Sequence, residues 1–257
     1  MNCTATEMMT VAAARALASH DVCFVGIGLP SAACNLARAT HAPGVTLVYE
    51  SGTIEAKPAV LPLSIGDGEL CETALTTVSV PEMFRYWLQG GRISVGFLSG
   101  AQVDRFGNLN STVIGPYGKP KVRLPGAGGA TEIATSCGRI FMIMRHNARA
   151  MVEKLDFLTT LGHGPTGQER RRLGIATAGP VLLVTDLCTM EPERETNEFV
   201  VTTLHPGVTR EQVAQNTGWR VRFASEVRET EPPSAQELEA LRELNARTAR
   251  AHAGGTV

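Results

Sequence analysis

Glu50 is the residue of this chain best placed to do chemistry. It ends the apolar, β-branched run Val45-Thr46-Leu47-Val48-Tyr49 and is followed at once by Ser51-Gly52. In an open parallel α/β sheet, the residues just past the carboxyl ends of strands line the ligand crevice. A carboxylate held there can be a nucleophile, a general base or an acceptor for a sugar hydroxyl. The residues by themselves leave those three open. A second feature is Leu124-Pro125-Gly126-Ala127-Gly128-Gly129-Ala130-Thr131-Glu132. Its clustered glycines let backbone N–H groups come close to a phosphate or a thioester oxygen. Ile133-Ala134 then predicts a short helix, whose start favours an anion.

Gly28 (in Gly26-Ile27-Gly28), Ser51, Gly52 and Gln102 are candidates for substrate contacts. Asp104-x-x-Gly107-Asn108 predicts a tight turn, either a plain loop or the floor of a site. His146 follows the apolar run Arg139–Arg145 and reads as structural or catalytic. Arg170-Arg171-Arg172, in a glycine-rich excursion over 162–180, reads as a phosphate clamp or an exposed loop.

Several chemistries are excluded. There is no G-x-S-x-G, no P-loop, no H-E-x-x-H and no Cys/His spacing for a metal. The six cysteines form no C-x-x-C pair and read as reduced core thiols of a cytosolic protein. A net charge of −1 without a basic run argues against nucleic acid and anionic membranes. No stretch approaches the ~20 apolar residues of a membrane span. The Ala-rich run Val11–Ala18 follows Glu7 and contains Arg15, so it reads as an amphipathic helix rather than a leader. The expectation is a soluble, cytoplasmic protein.

The elements that must position Glu50 alternate. Thr6 is expected to cap a helix over Glu7–Ser19. Strand Asp21–Ile27, a helix opened by Pro30 and Ser31 and running to Thr40, and the Glu50 strand make one βαβ unit. Strand, G-x-G, helix and a later acid approximate a dinucleotide fingerprint. Ser31, preceded by Pro30, stands where the third glycine belongs and argues against it. Residues 54–70 read as an ordered covering loop, with Glu55, Asp67, Glu69 and Glu72 solvated. Met83–Gln89 reads as an aromatic helical segment, core or subunit contact. Further strands are predicted at Ile93–Ser99, Arg139–Arg145, Val181–Thr185 and Phe199–Thr203. Helices follow at Thr209–Thr217, capped by Thr209, and at Ser234–Ala251, with a frayed tail from Gly254. The alternation predicts one domain over 1–257, a three-layer α/β/α sandwich around a mostly parallel sheet.

Three of these stretches, taken together, resemble the β subunit of class I CoA-transferases. They are Tyr49-Glu50-Ser51-Gly52, Gly100-Ala101-Gln102-Val103-Asp104 with Gly107-Asn108, and Pro125-Gly126-Ala127-Gly128-Gly129-Ala130. The similarity covers nearly the whole chain, including the Asp186 strand and His205-Pro206-Gly207-Val208-Thr209. The resemblance implies that Glu50 is the nucleophile, forming an acyl-glutamyl anhydride and then a glutamyl-CoA thioester. It puts Gly126, Gly128, Gly129 and Ala130 at the CoA site. It implies succinyl-CoA as donor and an oxo or dicarboxylic acid as acceptor, with CoA thioester as substrate and no permanently bound cofactor. It also implies an α subunit carrying a second glycine-rich segment, in a heterodimer or an α2β2 heterotetramer. Relatives that lack the glutamate cleave a ring in a steroid-derived thioester; the presence of Glu50 counts against that reading.

Overall fold

In this computed structural model residues 3–253 are described, and the tail expected from Gly254 lies outside them. The chain divides into two compact units. One holds the residues up to Phe97 and those from Pro232 onward; the other is Leu98–Glu231.

The first unit runs α1 (Ala5–Arg15), β1 (Val22–Phe24), α2 (Leu29–Ala39), β2 (Thr46–Val48) and β3 (Thr53–Ile54). It continues with α3 (Gly68–Glu72), β4 (Thr76–Thr77), α4 (Val80–Glu82), a π-helical turn over Met83–Leu88, and β5 (Val95–Leu98). Its strands lie in the order β5-β1-β2-β3-β4. β1 pairs parallel with β2, Cys23 opposite Leu47, and with β5, Cys23 opposite Val95. Strands covered on both faces must be apolar throughout, and Cys23, Phe24, Leu47, Val48 and all of β5 are buried. The βαβ reading of residues 21–50 is therefore met. α1 differs from expectation: its cap is Thr4, whose hydroxyl takes the Glu7 N–H while the Glu7 carboxylate takes the Thr4 N–H. That reciprocal box satisfies two otherwise orphaned donors, so the helix starts earlier than Thr6 would allow.

The second unit opens with short hairpins, β6 (Gln102–Val103) with β7 (Leu109–Asn110) and β8 (Val113–Ile114) with β9 (Val122–Arg123). Then come α5 (Ala130–Ser136), β10 (Arg139–Ile143), α6 (Glu169–Arg172), β11 (Pro180–Val184), β12 (Cys188–Pro192), β13 (Phe199–Leu204), α7 (Arg210–Gln215) and β14 (Arg222–Glu229). The strands lie in the order β14-β13-β12-β11-β10, with β10–β11 and β13–β14 parallel. The chain returns to the first unit as α8 (Ala235–Ala253). α8 docks through Leu238, Leu241 and Leu244, each buried, and through ion pairs Arg15–Glu237 and Arg242–Glu7. Burying each leucine stabilises by roughly 1.5–3 kcal/mol, whereas an exposed ion pair contributes about 0–1. The leucine stripe therefore dominates the docking. The α/β expectation, a mostly parallel sheet flanked by helices, holds.

β2 and β3 meet in a tight reversal. The Gly52 N–H donates to the Tyr49 carbonyl at 2.9 Å and the Tyr49 N–H to the Thr53 carbonyl at 3.0 Å. Gly52 has φ 106°, and a Cβ there would collide with the Val78 carbonyl oxygen, because the Val78 N–H donates to Gly52 at 2.9 Å. Gly52→Ala is therefore expected to lower unfolding free energy by about 2–3 kcal/mol. Gly128→Ala, at φ 49° with no atom within 4 Å of the added carbon, should cost about 1 kcal/mol. Denaturant titration of the two variants checks this; equal losses would contradict it.

Candidate active site

The reversal puts Glu50 and Ser51 at the two central positions of the turn, immediately past the carboxyl end of parallel strand β2. Glu50 is half-buried, and among the described residues its carboxylate makes no hydrogen bond or ion pair. Nearby acids differ. Glu55 pairs with Lys57 at 2.7 Å, Glu69 takes the Ala59 N–H, and Asp67 takes the N–H groups of Leu63 and Ser64. Those bonds hold Asp67 below the usual carboxylate range. Asp67 and Glu69 are thus loop staples rather than merely solvated charges.

The turn rests on buried polar contacts. Tyr49, fully buried, meets the Ser31 hydroxyl on α2 at 3.1 Å, and burial raises its phenol above the ordinary range. The Ser31 carbonyl takes the Asn35 side chain, and Asn35 takes Arg38. The hydroxyls of Ser51 and Thr53, on either side of Gly52, are buried without a hydrogen-bond partner among the described residues. Each such group costs about 1–3 kcal/mol, and unmet polar atoms of this kind call for an explanation such as a functional role. Gly28, the uncapped N-terminal flank of α2, lines a cavity of about 280 Å³ with Thr6, Leu29, Ala32, Leu61 and Leu241. Glu50 is not among the residues lining it.

In the second unit, the glycine-rich segment forms an exposed loop that opens α5. Gly126 (φ 98°) and Gly128 have open space where a side chain would project. Ser111 anchors the loop: Gly126 N–H donates to its carbonyl at 2.9 Å, and its hydroxyl donates to the Gly126 carbonyl at 2.8 Å. Gln102 is buried. Its oxygen accepts from Asn110 and from the Asp156 N–H, and its amide donates to the Asp156 carboxylate. It acts as a tie across the β6–β7 hairpin. The Asp104 turn is as tight as its sequence predicts. Asp104 takes the N–H groups of Phe106 and Asn108, and the Asn108 side-chain oxygen takes those of Gly162 and Gly164. A cavity of about 580 Å³ beside it, walled by Phe106, Lys154, Leu158 and Pro165, contains neither Gln102 nor the glycine loop.

His146 is buried between the hydroxyls of Thr185 (3.1 Å) and Thr217 (2.9 Å), the bland alternative of its two readings. The arginine run splits: Arg170 is buried, whereas Arg171 and Arg172 are exposed. Of the cysteines, Cys71 is exposed, against the expectation of core thiols, while Cys23, Cys34, Cys137 and Cys188 are buried. Among the described residues no cluster of three His, Cys, Asp or Glu could hold a metal ion, and no helix is long and apolar enough to cross a membrane.

A strand-end carboxylate and a glycine-rich loop suit acyl transfer, and comparison with known proteins agrees. The sequence profile of the Coenzyme A transferase family matches residues 6–216. The B subunit of 3-oxoadipate CoA-transferase from Pseudomonas knackmussii is 66% identical over 246 residues, 96% of this chain and 95% of that one. The B subunit of glutaconate CoA-transferase from Acidaminococcus fermentans is 34% identical over 94% of this chain and 92% of that one. The crystal structure of the Acidaminococcus fermentans enzyme superposes with TM-score 0.90 at 31% identity, covering 96% and 97% of the two chains. The chain belongs to the coenzyme A transferase family and is an enzyme of that class. The decarboxylase AibA/AibB shares the fold alone, with TM-score 0.82 at 24% identity over 98% of each chain.

Burial pushes the His146 imidazole down to about 4 and lowers His163 and His205 as well. These side chains stay neutral in the folded protein, while in the unfolded chain they bind protons below about pH 6.5. For His146 the stabilising contribution is full above pH 6.5 and is lost as pH falls toward 4, and His163 and His205 act in the same direction. For His146 alone this amounts to about 3 kcal/mol. Stability measured by denaturant titration should fall across that window, and His146→Gln should flatten the slope. An unchanged slope in the variant would contradict the assignment.

Proposed function

We propose that this chain is the β subunit of a heteromeric, cytoplasmic transferase that moves CoA from succinyl-CoA to 3-oxoadipate, or to a similar oxo or dicarboxylic acid, in aromatic-compound breakdown. The observation that carries the reading is Glu50, an unpartnered, half-buried carboxylate on the turn that ends a parallel strand. The 66% identity to one chain of a 3-oxoadipate CoA-transferase supports the choice of acid.

A carboxylate is a weak nucleophile in water, and one without salt bridges keeps its lone pairs for attack. Glu50 attacks the thioester carbonyl of the donor, CoA thiolate leaves, and an acyl-glutamyl anhydride forms. The thiolate returns to the glutamyl carbonyl, releasing the donor acid and leaving a glutamyl-CoA thioester. The acceptor carboxylate attacks that thioester and expels CoA thiolate, forming a second acyl-glutamyl anhydride; the thiolate then attacks the acceptor's acyl carbon, which frees the Glu50 carboxylate. Gly126, Gly128, Gly129 and Ala130 are assigned to the CoA site; the Gly126 and Ala130 N–H groups already donate to the carbonyls of Ser111 and Ala127, which leaves those of Gly128 and Gly129 to stabilise developing negative charge on the thioester. CoA enters and leaves as substrate, and the chemistry requires no resident cofactor. Ser51 and Gly52 shape the turn that presents Glu50, and Gly28 is kept as a candidate contact near the start of α2.

The variant Glu50→Gln, assembled with its α subunit, should lose many orders of magnitude in exchange, since an amide is a very weak nucleophile. Loss of a general base would cost only about 10²–10⁴-fold. A defect within that smaller range would refute the nucleophile role.

The first unit also leaves Leu63, Ile65, Leu75, Val80 and Tyr86 exposed, and the α subunit is the partner assigned to cover such apolar surface. The purified chain alone should be inactive. Adding the α subunit should restore exchange and bury more than about 1,000 Å². Full activity from the monomeric chain in light scattering would contradict this.

A further inference from the structure

Resting on the assignment of the Gly126–Ala130 loop to CoA, we propose that Arg170 and Thr177 are positioning residues for that loop. They grip the far end of α5, the helix the loop opens. α5 has seven residues, Ala130–Ser136, with β-branched Thr131, Ile133 and Thr135 among them. A helix so short is not stable on its own, and the carbonyls of its last turn have no partners within it. The Ala134 carbonyl takes Nη1 of Arg170 at 3.1 Å, and the Thr135 carbonyl takes the Thr177 hydroxyl at 2.8 Å. That same hydroxyl accepts from Nη2 of Arg170, and Nε donates to the Thr177 carbonyl at 3.3 Å. Nη1 reaches the Gly162 carbonyl as well, at 3.3 Å.

Three further observations favour a positional role over simple packing. Arg170 is 5% exposed, yet among the described residues all its hydrogen-bond partners are neutral oxygens. Burying a guanidinium without a carboxylate is costly; here the cation instead faces the negative end of a helix, where it is favoured. The slot it fills is shaped for it, because a Cβ on Gly179 would lie 2.7 Å from Nε. The same grip extends to the Asp104 turn, since Asn108 holds the Gly162 N–H at 2.8 Å. Ser111 fixes the entrance of the loop and Arg170 with Thr177 fixes the exit of its helix. The exposed glycines between them then have a defined place from which to present their N–H groups.

Thr177→Val removes the hydroxyl at nearly constant volume, and Thr177→Ser keeps it. In the assembled transferase, Thr177→Val should raise KM for acyl-CoA about tenfold, with kcat and the KM for the acceptor acid within threefold of the parent. Amide exchange over Ile133–Cys137 should accelerate. Thr177→Ser should restore both, and Arg170→Lys, which loses the planar fork, should behave like Thr177→Val. The proposal is overturned if Thr177→Val leaves that KM within twofold while Gly128→Ala raises it, a result that keeps the loop's assignment. It is overturned also if Thr177→Val lowers apparent kcat and leaves both KM values unchanged, as plain loss of folded protein would. If exchange accelerates but neither Thr177→Val nor Gly128→Ala moves the KM, the proposal and the loop's assignment to CoA fail together.

Discussion

The close approach of Gly52 to the backbone of Val78 is the constraint on which the rest of the candidate site depends. Strand β2 must stop, reverse and pair with β3 within a few residues, and β3 must then pair with the more distant β4. Only a residue without a Cβ fits where Gly52 meets the Val78 carbonyl. That contact decides where the turn falls, and the turn decides that Glu50 is carried past the strand end instead of being absorbed into a ladder. Below the turn, Tyr49 and Ser31 tie the strand to α2, so the carboxylate is held from the backbone rather than by bonds to its own oxygens. The proposed nucleophilic role suits that arrangement, because bonds accepted by a carboxylate lower its reactivity.

The two assigned parts of the machinery are built differently. Glu50 stands on a hydrogen-bonded reversal between strands, whereas the glycine loop is largely solvent-facing and is tied to Ser111 at Gly126. Loops of that kind draw their order from neighbours, which is why Ser111 at one end and the carbonyls of α5 at the other matter more than the glycines' own conformation. The decarboxylase that shares this fold illustrates the reverse point: the frame by itself does not choose the reaction.

Much of this was legible in the residues. Alternating apolar strands and Ala-rich helix gave the parallel βαβ unit, and Thr209 capped α7 as expected, with Gln212 completing the box. The turn glycines at 52 and 107 were visible as turn chemistry. Other features were hidden for physical reasons. β14, Arg222–Glu229, is charged and half exposed because among the described residues it pairs only with β13, so it lacks the apolar pattern of an inner strand. Arg170 looked like its exposed neighbours, since nothing local in Arg170-Arg171-Arg172 tells which guanidinium turns inward. Gln102 stood in a site-like motif, and its bonds to Asn110 and Asp156 depend on residues 8 and 54 positions away. Met83–Leu88 was readable as helical but not as a π-turn, which buries Met83 and Leu88 while leaving Tyr86 exposed.

The measurement that bears most directly on the central claim is a trapping experiment on the assembled enzyme. Incubation with acyl-CoA in the absence of an acceptor acid, followed by borohydride reduction, converts a glutamyl-CoA thioester to the corresponding alcohol. Peptide mass mapping should find that change on the peptide containing Glu50 and on no other. Absence of any adduct by intact mass, or a change on Glu55, Glu69 or the α subunit, would contradict the account.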